Sequence, residues 1–368
     1  MMVTEEGRGG GALVRILTIA PHLSPEIQSI VVCPSSGGAF IRQLEKAGIP
    51  YRAMPLHSLS KQMGRLLRYS ITFIRELWIL TRIIKNDNPD IVHCNGSWQI
   101  KGVLAGAIAR VPTIWHMNDS QQPLPVRYLF RALSHLCDGY IYASNRTKSY
   151  YQDISPAIVS RPDAIISPPV DIPTVESDNI FENYPGTNIV TVGYINPNKG
   201  FDLFIRIAHE MQKGNSTPFN WHIVGPALKT QSQYFRKLKE LVTSLKLTNV
   251  HFWGFRKDVA EIVSSADVYL CTSFYESSPI ALWEAMSCGT PVISTDVGDV
   301  KDLCQKEKCG ICIFDRRPKS FVNAIHTLLE EPQLRSRNIN NALKAIEKYF
   351  SPKTIKDQYL EFYLSMCK

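Results

Sequence analysis

Two carboxylates, Glu276 and Glu284, stand eight positions apart in the stretch Ser273-Phe274-Tyr275-Glu276-Ser277-Ser278-Pro279-Ile280-Ala281-Leu282-Trp283-Glu284-Ala285-Met286. Ser278 has the side chain of an N-cap, and Pro279 suits the first helical position, where a missing N–H costs no hydrogen bond. The pattern therefore predicts a helix opening at Pro279, with Glu276 in the loop ahead of it and Glu284 on its second turn. A helix N-terminus presents unpaired N–H groups and the positive end of the backbone dipole, so a phosphate can bind there. Carboxylates on either side accept hydrogen bonds from hydroxyls, which is the chemistry a sugar or a ribose needs. Taken alone, two glutamates at this spacing are more simply a decorated helix start and a solvated face.

The surroundings bear on that choice. Upstream, Ala266-Asp267-Val268-Tyr269-Leu270-Cys271-Thr272-Ser273 reads as a buried strand, and downstream Gly289-Thr290-Pro291-Val292-Ile293-Ser294-Thr295 reads as a turn into the next. The resulting βαβ unit sets the acids at the carboxyl end of a parallel strand, where open α/β sheets bind ligands. Other short motifs accompany it: Val192-Gly193 followed by Asn198-Lys199-Gly200, His222-Ile223-Val224-Gly225, Val250-His251-Phe252-Trp253-Gly254, and Asp90-Ile91-Val92-His93 in the first half. Together they resemble the retaining family 4 (group 1) glycosyltransferases, whose pattern runs Glu, seven residues, Glu, Ala-Met, then Gly-x-Pro-Val-Ile. That resemblance implies a GT-B fold, two Rossmann-like doubly wound parallel-sheet domains facing across a cleft. It also implies transfer of a sugar from a nucleotide diphosphate sugar.

Site roles carried by the resemblance are as follows. Lys199 matches the lysine that meets the donor diphosphate, with Gly193 at the preceding strand end. Glu276 takes the place near the transferred sugar, and Glu284 the place at the ribose hydroxyls. The family's partner arginine, five residues before the lysine, is Tyr194 here; a charged hydrogen bond of about 1.5–3 kcal/mol goes with it. Arg256 or Lys257, after Gly254, is a candidate replacement or a plain surface charge. Ser277 and Ser278 stand where the family commonly has Gly and an apolar residue; their backbone N–H groups remain, and their hydroxyls can donate to phosphate. Gly298-Asp299 replaces a common Gly-Gly. Gly10 and Gly11, in the run Gly7-Arg8-Gly9-Gly10-Gly11, suit a turn lying against phosphates.

On the acceptor side, Pro112-Thr113-Ile114-Trp115-His116-Met117-Asn118-Asp119 matches the segment that brings a histidine beside the sugar, which makes His116 the second catalytic candidate after Glu276. Asn118, Asp119, His93, Asn95 and Ser144 are weaker candidates. The family retains anomeric configuration by same-face substitution in which the leaving phosphate oxygen takes the acceptor proton. Neither an Asp-x-Asp nor a cluster of ligating residues calls for a metal, and no cofactor is expected. Two other readings stay open: a nucleotide-sugar epimerase of the same architecture, and a catalytically weak partner subunit, to which Tyr194 points.

At 368 residues the chain has room for two domains with cores of their own. A hydrophobic share of 44% and a charged share of 20% exclude general disorder. The formal charge of +8 suits anionic partners such as nucleotide diphosphates or acidic lipid, and nothing calls for nucleic acid. With no run of eighteen uncharged apolar residues and no signal-peptide pattern, the expected place is the cytoplasm, with peripheral contact at the inner membrane face. The nine cysteines follow no framework, and Cys309-x-x-Cys312 lacks a second pair, so structural thiols are expected.

A Pro-rich, aperiodic stretch from Ile165 to Asn179 marks a linker. It divides residues 1–170, the acceptor-binding domain, from 171–350, the nucleotide-sugar domain; residues 351–368 form a helix that in the family crosses back to the first. Strands are expected at Ser29 or Ile27 to Cys33, Ile91 to Cys94, Thr113 to His116 and Gly139 to Ala143, with a first helix from Ala12 to Ala20. Met1 to Glu6 is too short and polar for a normal central strand, so that strand is expected missing or frayed and the natural start some residues upstream. Lys61 to Lys85 carries six basic residues against one acid, mixed with apolar ones. Such a segment either rests on anionic lipid, as a lipid-linked glycan acceptor would favour, or packs as a core helix.

Overall fold

The computed structural model describes residues 1–7, 11–23, 25–59, 63–174, 180–213 and 218–367. Two compact units emerge, one of Met1–Pro169 with Pro352–Lys368 and the other of Val170–Ser351. The chain leaves the first unit one residue earlier than the linker reading places it.

The first unit holds a parallel sheet of seven strands: β1 Met2–Val3, β2 Val31–Pro34, β3 Tyr51–Met54, β4 Val92–Asn95, β5 Thr113–Met117, β6 Gly139–Tyr142 and β7 Asp163–Ile165, in the order β3-β2-β1-β4-β5-β6-β7. Its helices are α1 Gly11–Leu23, α2 Gly38–Lys46, α3 Met63–Asp87, α4 Ile100–Ala109, α5 Leu124–Leu133 and α6 Asn145–Ile154. In the second unit, β8 Thr187–Val192, β9 Phe219–Val224, β10 Val250–Gly254, β11 Val268–Cys271, β12 Val292–Thr295 and β13 Ile311–Ile313 are ordered β10-β9-β8-β11-β12-β13. Around them lie α7 Phe201–Gln212, α8 Ser232–Ser244, α9 Val259–Ser264, α10 Ile280–Ser287, α11 Val300–Glu307, α12 Pro318–Glu330 and α13 Pro332–Phe350. α14, Pro352–Met366, returns to the first unit.

Helices cover both faces of each sheet, so the inner strands are buried on both sides and read as nearly unbroken apolar runs. Alternation along β5 still sorts its residues. Ile114 joins the cluster under α1 and α14, while Trp115 and Met117 join the one containing Leu80 and Ile84 of α3 and Val103 of α4.

β1 corrects an expectation. It is neither missing nor frayed: Met2 and Val3 are buried at the sheet centre and pair in parallel with Val31 and Val32 on one side and His93 and Cys94 on the other. The Met2 N–H donates to the Ile30 carbonyl at 2.8 Å and the Thr4 N–H to the Val32 carbonyl at 3.0 Å, so even a two-residue strand is tied into the ladder. The polarity of Thr4 to Glu6 belongs to the loop that follows. β2 begins at Val31 and not at Ile27, and α1 runs to Leu23. All nine cysteines are free thiols.

Candidate active site

In the second sheet β8 and β11 are neighbours, although β9 and β10 continue from β8 on its far side. This is the topological switch point, where connections diverge and leave a crevice beyond the strand ends. Lys199 comes from the turn after β8 and Glu276 from the loop after β11. Lys199 Nζ donates to Glu276 Oε1 at 2.7 Å, and Ser273 Oγ donates to the same oxygen at 2.9 Å. A Cβ on Gly193 would come within 2.9 Å of Lys199 Cε, so glycine lets the lysine stem lie across the strand end. Gly200, at φ +63°, turns the chain from the lysine into α7, and a Cβ there would strike the Thr272 carbonyl oxygen. Thr272 Oγ1 donates to the Lys199 carbonyl at 3.1 Å, and the Phe274 N–H to the Asn198 carbonyl at 2.7 Å. Cation turn and acid loop are thus one braced assembly.

Arg316, between β13 and α12, completes the brace, and the sequence reading missed it. Its guanidinium donates to the carbonyls of Ser273 at 3.1 Å and Thr272 at 3.0 Å, and lies 3.5 Å from the Phe274 ring centre. The only local signal is the basic pair Arg316-Arg317 between a strand end and Pro318.

Around the acids, the helix start differs from the expectation. α10 opens at Ile280 with Pro279 as N-cap, and no side chain caps it. Ser278 Oγ instead accepts the Trp283 indole N–H at 2.8 Å; Trp283 is buried, and its N–H finds no water to bond. Ser277 remains half-buried on the loop. Glu284 sits on the second turn, open to solvent on one side, with its carboxyl pKa raised by desolvation against the opposing pull of Lys199. Burial works to lower the Lys199 pKa, but the charge and hydrogen bond of Glu276 outweigh it and the net shift is upward. The ammonium is therefore permanent.

Arg256 is not a free replacement for the absent arginine. Its fork grips Asp258, Nε to Oδ1 at 2.8 Å with Nη2 on Oδ2, while its guanidinium lies 5.0 Å from the Trp253 ring centre. Tyr194 is exposed.

His116 is also corrected. It is wholly buried, with Nε2 against Arg15 Nη1 and Nδ1 3.0 Å from His93 Nε2, and His93 Nδ1 lies 2.6 Å from the Tyr363 hydroxyl. The side chain points from β5 beneath α1 and α14, because strand alternation puts it on the face of Ile114. Burial, then Arg15 and His93, hold its pKa well below the ordinary value, so it is a neutral member of a structural relay. The two positions after Met117 do reach the strand-end loops: Asn118 Nδ2 donates to Asn95 Oδ1 at 3.3 Å, and Asp119 Oδ2 accepts from Gln122 Nε2 at 3.3 Å. Ser144 caps α6 by accepting the Thr147 N–H. Gly10 lies outside the described residues, and Gly11 is the first residue of α1. Among the described residues, no group of three or more His, Cys, Asp or Glu is arranged to hold a metal ion.

Against known families, residues 177–345 match "Glycosyl transferases group 1" and residues 9–172 match "Glycosyltransferase Family 4", together most of the chain. The chain belongs to glycosyltransferase family 4. Its two parallel sheets are those of the GT-B fold, and Anabaena HepE, solved in complex with UDP, superposes with a TM-score of 0.83 at 22% identity, covering 99% of each chain. An Escherichia coli UDP-Gal:alpha-D-GlcNAc-diphosphoundecaprenol alpha-1,3-galactosyltransferase is 25% identical over 333 residues, 78% of this chain and 79% of its own. A Campylobacter jejuni N,N'-diacetylbacillosaminyl-diphospho-undecaprenol alpha-1,3-N-acetylgalactosaminyltransferase is 26% identical over 114 residues, 31% of this chain but only 30% of its own length. In this family 4 glycosyltransferase, then, the switch point of the second unit carries one lysine paired to one glutamate, with a second glutamate within the lysine's field.

Proposed function

We propose that the chain is a retaining glycosyltransferase that moves a sugar from a nucleotide diphosphate sugar to a growing, lipid-linked cell-surface glycan such as an O-antigen, capsule or exopolysaccharide. The observation that carries it is the braced Lys199–Glu276 pair at the second unit's switch point. On donor binding the Lys199 ammonium moves from Glu276 to the diphosphate, where a fixed positive charge stabilises the departing oxygens and supplies the counter-charge that a metal supplies elsewhere. Glu276, released, accepts hydroxyls of the transferred sugar, and Glu284 those of the ribose. The bond from the anomeric carbon to the phosphate oxygen breaks as the bond to the acceptor oxygen forms on the same face, and the acceptor proton passes to that phosphate oxygen.

The lipid-linked part of the reading is supported by the Escherichia coli and Campylobacter jejuni relatives, whose names specify diphospho-undecaprenol acceptors. It is supported also by α3. Among the described residues no helix is long and apolar enough to cross a membrane. Yet Met63, Leu67, Ile71, Ile74 and Trp78 form an exposed apolar stripe on α3, flanked by Arg68, Arg75 and Arg82. Its one acid before the final residue, Glu76, is buried. Such a face fits an anionic bilayer surface and supports the reading of an enzyme that works against the cytoplasmic side of the membrane.

A thermal-shift series with UDP-, GDP- and ADP-sugars tests the donor reading, since ligand bound to the native state raises stability. A rise with at least one is expected. Absence of any shift, or unchanged turnover in both Lys199→Ala and Glu276→Ala, overturns it. Anomeric proton NMR of the product reads retention directly.

A further inference from the structure

The carbonyls of Thr272 and Ser273 lie past Cys271, the last residue of β11 that pairs with β12. The loop that carries Glu276 thus leaves the sheet with two acceptors to satisfy away from the ladder. Side chains take them. Arg316 donates to both, through Nη2 to Thr272 at 3.0 Å and Nη1 to Ser273 at 3.1 Å, and Thr295 Oγ1 donates to the Ser273 carbonyl at 2.8 Å.

Arg316 serves these carbonyls because its neighbours are tied elsewhere. Asp315 Oδ1 accepts the Arg317 N–H at 3.0 Å, while Asp315 Oδ2 accepts Arg317 Nε–H at 2.8 Å and the Ser320 hydroxyl at 3.1 Å, which closes the turn into α12. Among the described residues no carboxylate lies within ion-pair distance of Arg316, whose half-buried guanidinium stacks on Phe274. Fork and stack together hold a planar cation in one place, which a lysine ammonium does not reproduce. The same group touches the lysine turn: a Cβ built on Gly200, the residue after Lys199, would stand 2.9 Å from Arg316 Nη2.

Two charges therefore fasten the acid loop beside the lysine turn, Lys199 through the Glu276 carboxylate and Arg316 through the backbone. The other ties of the loop are neutral: Thr272 Oγ1 on the Lys199 carbonyl, the Phe274 N–H on the Asn198 carbonyl, and the Gly298 N–H on the Glu276 carbonyl at 3.0 Å. Hydrogen bonds with a charged donor are about twice as strong as neutral ones. In the resting site the two charges duplicate each other. A diphosphate that draws the Lys199 ammonium off Glu276 removes the first, and Arg316 is then the charge that keeps the loop in register.

We infer that Arg316 is a positioning residue for sugar transfer, holding Glu276 in place after the lysine has turned to the donor. The transfer rests on the glycosyltransferase reading above; the brace rests on the distances around Arg316 alone.

The first test is a double-mutant cycle in the full chain without ligand, read by hydrogen exchange at the Phe274 amide. Lys199→Met alone and Arg316→Ala alone should each leave the rate within about threefold of the parent, since one charge still holds. Together they should raise it at least tenfold beyond the product of the single effects. Simple additivity, or release by Arg316→Ala alone as large as by the pair, overturns the assignment. The second test is the initial rate of UDP or GDP release from UDP-galactose, UDP-N-acetylglucosamine and GDP-mannose. Arg316→Ala should lower kcat at least tenfold with KM within about threefold, because the loss is felt only after the donor has bound. Arg316→Lys should lose less, and millimolar guanidinium should restore Arg316→Ala where sodium chloride at the same concentration does not. An unchanged kcat, or a change in KM alone, overturns the role. A coupled exchange cycle in a parent chain that releases nucleotide from none of the three donors leaves the brace standing and fails the glycosyltransferase reading.

Discussion

Lys101 is a cation with no exposed side chain. Its Nζ donates to Glu76 Oε2 at 2.6 Å and to the His57 carbonyl at 2.6 Å, and lies 4.1 Å from the Tyr69 ring centre. Because Glu76 holds the ammonium closely, Glu5 at 3.5 Å receives the lesser share; burial outweighs it and pushes the Glu5 pKa up to about 7. The unfolded carboxyl ionises near its ordinary value, about 4.3. Between that pH and about 7 the native state holds a proton the unfolded state has lost, so this group lowers stability as pH rises. Glu5→Gln should therefore gain on the parent chain as pH is raised from 4.5 to 8 in urea unfolding; a difference independent of pH would refute the assignment. Lys199→Met should cut transfer from a nucleotide sugar by at least a hundredfold, on the order of the 2.7–4 kcal/mol seen when one transition-state donor is removed, with the fold intact by circular dichroism. That Lys199 and Glu276 lie at neighbouring strand ends followed from the strand and helix signals on either side of each; their roles came from the family resemblance. His116 was misplaced because proximity to a strand end says nothing about the face: two residues on from Ile114, it shares that residue's buried side. Arg316 had no pattern to betray it, since what it holds are carbonyls some forty positions earlier in the chain.

α3 shows how one element satisfies two readings that the sequence left as alternatives. Tyr69, Glu76, Leu80, Thr81 and Ile84 are buried, while the stripe from Met63 to Trp78 occupies the opposite arc. A 25-residue helix has room for a core face and a free face, and only packing reveals which residue goes where. Basic residues close to an anionic surface contribute about 1 kcal/mol each. Ile71→Ser with Trp78→Ser should leave the melting temperature within about 2 °C, since exposed substitutions seldom exceed about 0.5 kcal/mol. The same pair should lower sedimentation with anionic vesicles at least tenfold. Parent protein that fails to sediment at low salt would dismiss membrane contact for α3. β1 and α10 mark the limits of local reading. The length of β1 was judged from its own residues, whereas its hydrogen bonds come from both neighbours. The serine assigned as cap to α10 is claimed by an indole five residues further on.

Across the whole molecule, both sheets place the first strand of each unit beside the fourth; two doubly wound halves are what the family resemblance implied, while the strand order came only with the fold. The last helix belongs to the first unit's core. Ile355, Tyr359, Phe362 and Tyr363 of α14 are buried among Leu13, Ile16, Ile19 and Leu23 of α1. At about 1.5–3 kcal/mol for each large side chain, their removal rivals the typical total stability of a domain, about 5–15 kcal/mol. Truncation after Phe350 should thus abolish the cooperative unfolding of the first unit in calorimetry; a truncated chain that melts as the full one does would contradict this packing. Acid should act on both units. Burial holds His93 and His222 down to about 3, and His116 well below its ordinary value, so all three stay neutral in the native state. The unfolded chain takes up those protons below about 6.5, and stability is lost as pH falls from there toward about 3, by up to about 1.4 kcal/mol per pH unit for each ring. A flat stability profile between pH 6.5 and 4 would rule out neutral burial of these rings.

The 2.7 Å contact between Lys199 and Glu276 also governs how the resting site meets its ligand. An ammonium that waits bare in a crevice gathers solution anions, and a phosphate ligand must displace them, so its affinity falls as salt is added. Here the counter-ion is built into the polypeptide and is not lost to the solvent when the ligand arrives. On the function proposed above, it swings aside to the incoming hydroxyls. The exchange is internal, so nucleotide affinity should respond little to ionic strength in the parent chain and markedly in Glu276→Gln, whose lysine has only solution anions for company.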